Sequence, residues 1–315
     1  MLVFTNIVHF LLACLPLLPA SRQDEGETES PFVVVLGIAQ DAGFPQADCK
    51  KSCCKPAWEQ PLRRRMVSCI AVVDPASSQF WLVDATPDFP EQQRIVQQLL
   101  PGRSFDLAGI FLTHAHIGHY TGLMHLGREA MAASEMPVFA MPRMGDFLKN
   151  NGPWSQLVAL KNIEIRHLRA DATIVLNERL RLTPLLVPHR DEFSETVGFK
   201  IEGPGRSLLF IPDIDKWERW ERDINTLVGE VDFALLDGTF YQNGEIPGRD
   251  MSEIPHPFIE ESLARFGKLP AMERAKIRFI HFNHTNPVLW GNSEAAQSVL
   301  GQGFGLAEEG ERFGL

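Results

Sequence analysis

An apolar run at residues 107–112 (LAGIFL) leads without a break into residues 113–120 (THAHIGHY). The run predicts a buried strand, and its end then carries the histidines. His114 and His116 are two residues apart, so on an extended strand end both imidazoles point the same way. His119 follows one turn later, at the expected start of a helix, where the chain bends back toward the same space. Neutral imidazole is the commonest zinc ligand, and three such groups converging at a strand end leave an open position for water. The chain is thereby committed to a sheet that aims a metal site from one end.

Other strand ends supply partners. His189 closes LRLTPLLVPH, Asp213 closes SLLFIPD, and His281 and His284 close FIHFNH. Singly, His189 reads as a turn residue, Asp213 as a helix N-cap and His281 as a hydrogen-bonded core histidine. Together, packing alone does not explain them. Period-two and apolar runs predict further strands at residues 32–36, 69–73, 80–83, 179–187, 197–201, 207–211, 233–236 and 277–282. Helices are expected at 91–100, 120–133 and 257–266. Strands paired early and late with helices between them point to layered α/β sheets.

With 315 residues, 44% hydrophobic and 22% charged, the chain can bury a sizeable core. A net charge of -10 argues against a nucleic-acid surface, because the basic cluster Arg63-Arg64-Arg65 is short and reads as a solvated turn. The expected partner is a small-molecule substrate. Residues 2–20 are mostly apolar and SRQDEGETES follows, which predicts a signal peptide and polar linker over residues 1–30 and an exported or periplasmic protein. The leader lacks the usual basic residues. Leu11-Leu12-Ala13-Cys14 also looks like a lipoprotein box that would anchor Cys14 in a membrane, and a mis-assigned start would instead leave the protein cytoplasmic. Nothing later is long and apolar enough to span a bilayer, and without repeats or low-complexity linkers residues 31–315 read as one domain.

Five cysteines occur, Cys14, Cys49, Cys53, Cys54 and Cys69. Cys49, Cys53 and Cys54 are too crowded to pair with one another, so a closed structural zinc with one histidine uses them better. A disulfide from Cys49 or Cys54 to Cys69 is the alternative, and His256 is a spare candidate for the fourth ligand.

The order Asp84 (WLVDAT), THAHIGHY, His189, Asp213 and FIHFNH resembles the motif series of the metallo-β-lactamase superfamily over about residues 32–315. The resemblance implies an αββα sandwich, two mixed β-sheets flanked by helices, with metals at one sheet edge. Segments LGIAQDAGFPQADC, HIGHYTGL, LLDGTFYQNGEIPGRDM and IHFNHTNPVL are similar to the pyrroloquinoline-quinone (PQQ) biosynthesis B family. The Ala39-Gln40, Pro45, cysteine and Arg64-Arg65 pattern is similar to the cyclic phosphodiesterases of phosphonate breakdown and their tRNA-processing relatives.

The resemblance implies one metal position at His114, His116 and His189 and a second at His119 and His281, with Asp213 as the catalytic metal bridge. It also splits the final His-x-x-His, giving His281 to the active site and His284 to a structural zinc with Cys49, Cys53 and Cys54. One or two zinc ions are implied in the active site, with iron as the alternative. Two departures carry weight: Cys53 abuts Cys54, and Gly118 stands where the superfamily has an Asp that ligates the second metal. The expectation is a second position short of one carboxylate and weakened accordingly.

The implied activity is a metallo-hydrolase acting on a phosphodiester or small ester. The alternatives are an iron-dependent oxygenase of the PQQ-biosynthesis type and a protein that handles or transports a PQQ precursor. Asp237-Gly238-Thr239 reads equally as a turn or as part of the site. His125, His167, Trp217 and Trp220 read as ordinary structural residues.

Overall fold

A computed structural model of the chain describes residues 30–315. The expected leader and Cys14 lie outside the described residues. Fourteen strands are formed among those described: β1 (Phe32–Gly37), β2 (Cys69–Asp74), β3 (Gln79–Val83), β4 (Asp106–Phe111), β5 (Met136–Ala140), β6 (Ile163–His167), β7 (Ile174–Val175), β8 (Arg181–Leu186), β9 (Val197–Glu202), β10 (Ser207–Ile211), β11 (Phe233–Asp237), β12 (Ile277–Ile280), β13 (Gly305–Leu306) and β14 (Arg312–Gly314). They build two seven-stranded sheets, ordered β14-β1-β2-β3-β4-β5-β6 and β13-β12-β11-β10-β9-β8-β7. Both are mixed: β3 to β6 and β10 to β13 run parallel, and the remaining pairs are antiparallel.

Side-chain alternation sets the layers. Val33, Val35, Ile70, Val72, Trp81 and Val83 face the core between the sheets, while Phe32, Val34, Leu36, Phe80 and Leu82 face an outer core. Between the sheets Phe111 stacks on Phe139 at 4.2 Å and meets the edge of Phe199, from the second sheet, at 5.8 Å. The helices Phe89–Gln98, Pro142–Asn150 and Trp154–Ala159 cover the first sheet with Phe89, Val96, Leu148 and Leu157. Ile259–Phe266 and Glu294–Gly301 cover the second with Ile259, Phe266 and Val299. Each fully buried apolar side chain contributes roughly 1.5–3 kcal/mol. This apolar frame holds the strand ends in place, so the buried polar groups gathered there need not stabilise the fold.

Several local expectations shift. The strand expected at 179–187 is Arg181–Leu186, and the helices expected at 91–100 and 257–266 are Phe89–Gln98 and Ile259–Phe266. The helix expected over 120–133 does not form; one α-turn at Ile117–Tyr120 passes into a 3-10 segment, Thr121–Leu126. This stretch is pressed against residues 85–89: Gly122 N donates to Ala85 O at 2.9 Å, and a Cβ at Gly122 would lie 2.1 Å from Thr86 O. A helix not among those expected forms at Pro142–Asn150, where proline suits the first position. The basic cluster is the solvated turn expected, with exposed Arg63 ending a 3-10 segment, Pro61–Arg63, and exposed Arg64 following it.

Candidate metal centre

His114, His116 and His119 leave the end of β4 on a loop held by Asp84, which follows β3. One Asp84 carboxylate oxygen accepts from Thr113 N at 2.8 Å, and the other accepts from His119 Nδ1 at 2.7 Å. Asp84 therefore positions the loop and is not itself among the residues grouped around a common point.

Those groups share Asp213, at the end of β10. His114, His116, His189 and Asp213 offer ligand atoms all within 4.8 Å of one another, and so do Asp41, His119, Asp213 and His281. Asp213 Oδ2 lies 3.2 Å from His114 Nε2, 3.8 Å from His119 Nε2 and 3.9 Å from His281 Nε2, and its Oδ1 lies 3.2 Å from His189 Nε2. One carboxylate thus faces both groups.

Hydrogen bonds fix which ring nitrogen of each histidine carries the proton. Thr113 Oγ1 donates to Asp84, so it accepts from His114 Nδ1 at 3.0 Å; Thr239 Oγ1 donates to Asp237, so it accepts from His281 Nδ1 at 3.0 Å. His189 Nδ1 donates to Asp215 at 3.3 Å, and His119 Nδ1 to Asp84. His114, His189 and His281 thereby present an Nε2 lone pair inward, whereas His119 Nε2 donates to Asp41 Oδ1 at 3.1 Å. His116 is the reverse, with Nε2 directed at Glu192 at 3.3 Å and Nδ1 inward.

Four of the inward atoms lack hydrogen-bond partners. His114 Nε2, His116 Nδ1, His189 Nε2 and Asp213 Oδ1 are buried and make no hydrogen bond among the described residues. Burying such atoms unpaired costs about 1–3 kcal/mol each. His119 Nε2 and His281 Nε2 also face each other at 3.3 Å. Convergent, unpaired lone pairs beside a carboxylate are the donor set of a divalent cation, with ring orientation set from behind by carboxylates and hydroxyls. The residues fit the group.

Titration behaviour without a cation agrees. Burial pushes the His114 imidazolium well below the usual histidine range, leaving it neutral. Burial raises Asp213, but His189, His256 and His281 outweigh it and hold the carboxyl well below the usual range. Burial likewise opposes ionisation of Asp41, and its hydrogen bonds with His119 and His281 overcome it. For His119 burial is outweighed by Asp84 and Asp41, which hold the ring well above the ordinary value, so a cation there displaces a proton.

Gly118 has a specific cause. A Cβ at this position would lie 2.4 Å from Asp41 Cα and 2.7 Å from Asp41 Oδ1. The Asp41 carboxylate reaches His119 Nε2 at 3.1 Å and His281 Nε2 at 3.5 Å. The expected shortage of a carboxylate is therefore corrected: the acid comes from the loop after β1, and only glycine leaves room for it. Sequence reading missed Asp41 although it lies inside LGIAQDAGFPQADC. The available signal was the glycine itself, since a histidine set without its acid implies one supplied from elsewhere.

Cys49, Cys53, Cys54 and His284 form a separate group, again with all ligand atoms within 4.8 Å. Cys49 and Cys53 sulfurs are 3.7 Å apart, and His284 Nδ1 is 3.3 Å from Cys54 Sγ and 3.7 Å from Cys53 Sγ. Tetrahedral zinc with Zn–S of about 2.3 Å separates sulfurs by about 3.7–3.8 Å and sulfur from nitrogen by about 3.6 Å. Burial pushes the Cys54 thiol up to about 12 and the His284 imidazole down, so the metal-free Cys54 thiol is protonated and the ring is neutral. Cys69 is a free buried thiol near Asp84 O at 3.5 Å, and no disulfide joins it to Cys49 or Cys54.

His256 is not in the cysteine group. Its Nδ1 lies 2.8 Å from Asp237 and 3.2 Å from Asp213. Burial opposes its charge, but Asp237 and Asp213 raise it to about 9. Asp237 also accepts from Ile214 N and Thr239 N, so the Asp237-Gly238-Thr239 segment shapes the site. The remaining candidates are structural: His125 stacks on Phe89, His167 meets Lys149, and the Trp217 and Trp220 indoles donate to Ser262 and Leu186 in the core.

Comparison with known proteins places this geometry. Coenzyme PQQ synthesis protein B of Methylobacterium sp. (strain 4-46) is 27% identical over 303 residues, covering 88% of this chain and 97% of the relative. The protein of the same description from Xanthomonas campestris pv. campestris (strain B100) is 26% identical over 311 residues, covering 90% and 99%. Among solved structures, Zn(2+)-bound PqqB from Methylobacterium extorquens matches with a TM-score of 0.75 and 26% identity, over 90% of this chain and 100% of that one. A diphosphatase from the PhnP family shares the fold at a TM-score of 0.62 and 20% identity, over 90% and 97%. The family model described as the beta-lactamase superfamily domain matches residues 81–282, a span that holds Asp84, the histidine motif, His189, Asp213 and His281. By that match, and by its two helix-flanked mixed sheets, the chain belongs to the beta-lactamase superfamily and has the metallo-β-lactamase fold.

Proposed function

We propose that this chain is a metal-dependent hydrolase acting on a phosphodiester or another small ester. The observation that carries the reading is the set of five imidazoles whose inward ring nitrogens gather around Asp213. His114, His116 and His189 would hold one cation and His119, His281 and Asp41 a second, with Asp213 facing both. Bound there, divalent cations supply a water of lowered pKa and polarise a phosphoryl or carbonyl oxygen. Zinc suits these ligands, and Cys49, Cys53, Cys54 and His284 would hold a further, structural zinc.

The chain's own residues supply the rest. Asp84, Thr113, Asp215 and Thr239 hold four of the five rings in the ligating orientation. His256, charged and held by Asp237, is the group suited to protonating a leaving oxygen. The acidic chain and short basic cluster favour a small-molecule substrate over nucleic acid. The apolar start favours export, with an anchor at Cys14 as the alternative.

A second reading has its own observation. Similarity to PQQ synthesis protein B covers 88% of the chain, and Asp41, His119, Asp213 and His281 form a two-His, two-carboxylate set that suits iron. That reading is an iron-dependent oxygenase, or a handler of a PQQ precursor. Elemental analysis of the purified protein, then assay on bis-p-nitrophenyl phosphate, separates the two. Zinc with turnover supports the hydrolase; metal at the cysteines alone without turnover defeats it; iron with oxygen consumption favours the oxygenase.

A further inference from the structure

We infer that the Cys49/Cys53/Cys54/His284 cluster sets the affinity of the second active-site position, His119/His281/Asp41, and leaves the first position unaffected. This rests on the metal-site reading above.

The geometry singles out the second position. Two of its ligands come from the two segments that the cluster ties together. Asp41 begins the loop that carries Cys49, Cys53 and Cys54, and His281 is three residues from His284. The segments meet through Phe282 N donating to Ile38 O at 2.8 Å and Gln40 N donating to Phe282 O at 2.9 Å. On one side of this junction Asp41 Oδ1 reaches His281 Nε2 at 3.5 Å, and on the other the cysteines reach His284. By contrast His114, His116 and His189 follow β4 and β8 and share neither segment.

Both ligands need holding. His281 adopts φ +69°, a left-handed conformation that a non-glycine residue keeps only when its surroundings hold it there. Its turn is pinned by Asn283 N to Thr239 O at 2.9 Å and by the Asn286 side chain to Gly238 O at 2.8 Å. The cysteine loop has little apolar packing of its own: Ala39, Phe44, Cys53, Cys54 and Ala57 are its buried cluster. A metal closed by three thiolates and His284 is the tie with the strength to keep loop and turn in register. Without it, Asp41 and His281 separate more freely.

Coupling between binding sites is reciprocal, which gives a test that does not depend on turnover. Full-length protein is stripped and titrated with Co2+, following the thiolate charge-transfer band for the cluster and the visible ligand-field bands for the histidine positions. The second position is read alone in a His116→Ala background, and the first in an Asp41→Asn background. Adding Cys54→Ser is expected to weaken cobalt binding at the second position about tenfold or more while changing the first less than about twofold. Conversely, Asp41→Asn alone should weaken binding at the cluster by a similar factor. Cys49→Ser, at a less buried position, replaces Cys54→Ser if that variant fails to fold by circular dichroism. Equal weakening of both positions, or of neither, overturns the inference. If His116→Ala protein binds no cobalt outside the thiolate band, the two-position reading falls, and this inference with it.

Discussion

Asp41 occupies the space that a side chain at position 118 would need, with its Cα 2.4 Å from where a Gly118 Cβ would stand. The acid missing from the histidine motif has moved to another element and points at the same two histidines. Gly118→Asp therefore restores the superfamily pattern in sequence while expelling Asp41 in space. Competition titration against a chelator should show metal at the second position bound no more tightly than in the parent protein, and about tenfold or more weaker if the loop after β1 is displaced. Tighter binding in Gly118→Asp would show that the two carboxylates coexist.

Asp84 acts through His119. As a carboxylate it accepts the Nδ1 proton at 2.7 Å, and in Asp84→Asn an amide can turn its donor toward the ring and reverse the tautomer. Metal affinity at the second position should fall about 10–100-fold. Isothermal titration calorimetry checks this, and an affinity equal to the parent's would contradict it.

The strand ends were legible because their cause is local. A buried apolar run followed by a metal-type residue is a pattern within a dozen positions, and His114, His116, His119, His189, Asp213 and His281 all meet where it places them. Asp41 and Asp215 were not legible, because their roles come from long-range contacts with His119 and His189 that no local period encodes. His256 was drawn toward the cysteines on residue type alone, whereas the loop after β11 brings it to Asp213. The helix expected over 120–133 failed for a similar reason: packing of Gly122 on Thr86 overrides helical propensity.

Burial pushes the Glu309 carboxyl up to about 7, and its Oε1 accepts from Met66 N at 2.6 Å. Between the unfolded value of about 4.3 and this raised value the folded state binds more protons, so stability falls as pH rises through that window and then levels. Glu309→Gln keeps the acceptor and removes the titration. The variant should match the parent near pH 4 and exceed it by about 1–3 kcal/mol at pH 8 in urea unfolding.

His256, raised to about 9 by Asp237 and Asp213, is protonated across neutral pH. As a proton donor it gives kcat/KM an alkaline limb near or below that value, because bound cations lower it further. His256→Gln should remove the limb and reduce the rate about 10²–10⁴-fold for substrates with poor leaving groups, less for p-nitrophenolate. A limb unchanged in the variant would assign the proton to another group.

The most direct test is the metal content of Asp41→Asn beside the parent, by inductively coupled plasma mass spectrometry after reconstitution with zinc and gel filtration. The parent should retain about three metal ions per chain, two in the active site and one at the cysteines, and Asp41→Asn should lose about one of them. A parent with about two ions per chain, or an Asp41→Asn protein with the parent's full content, would contradict a second position built on Asp41.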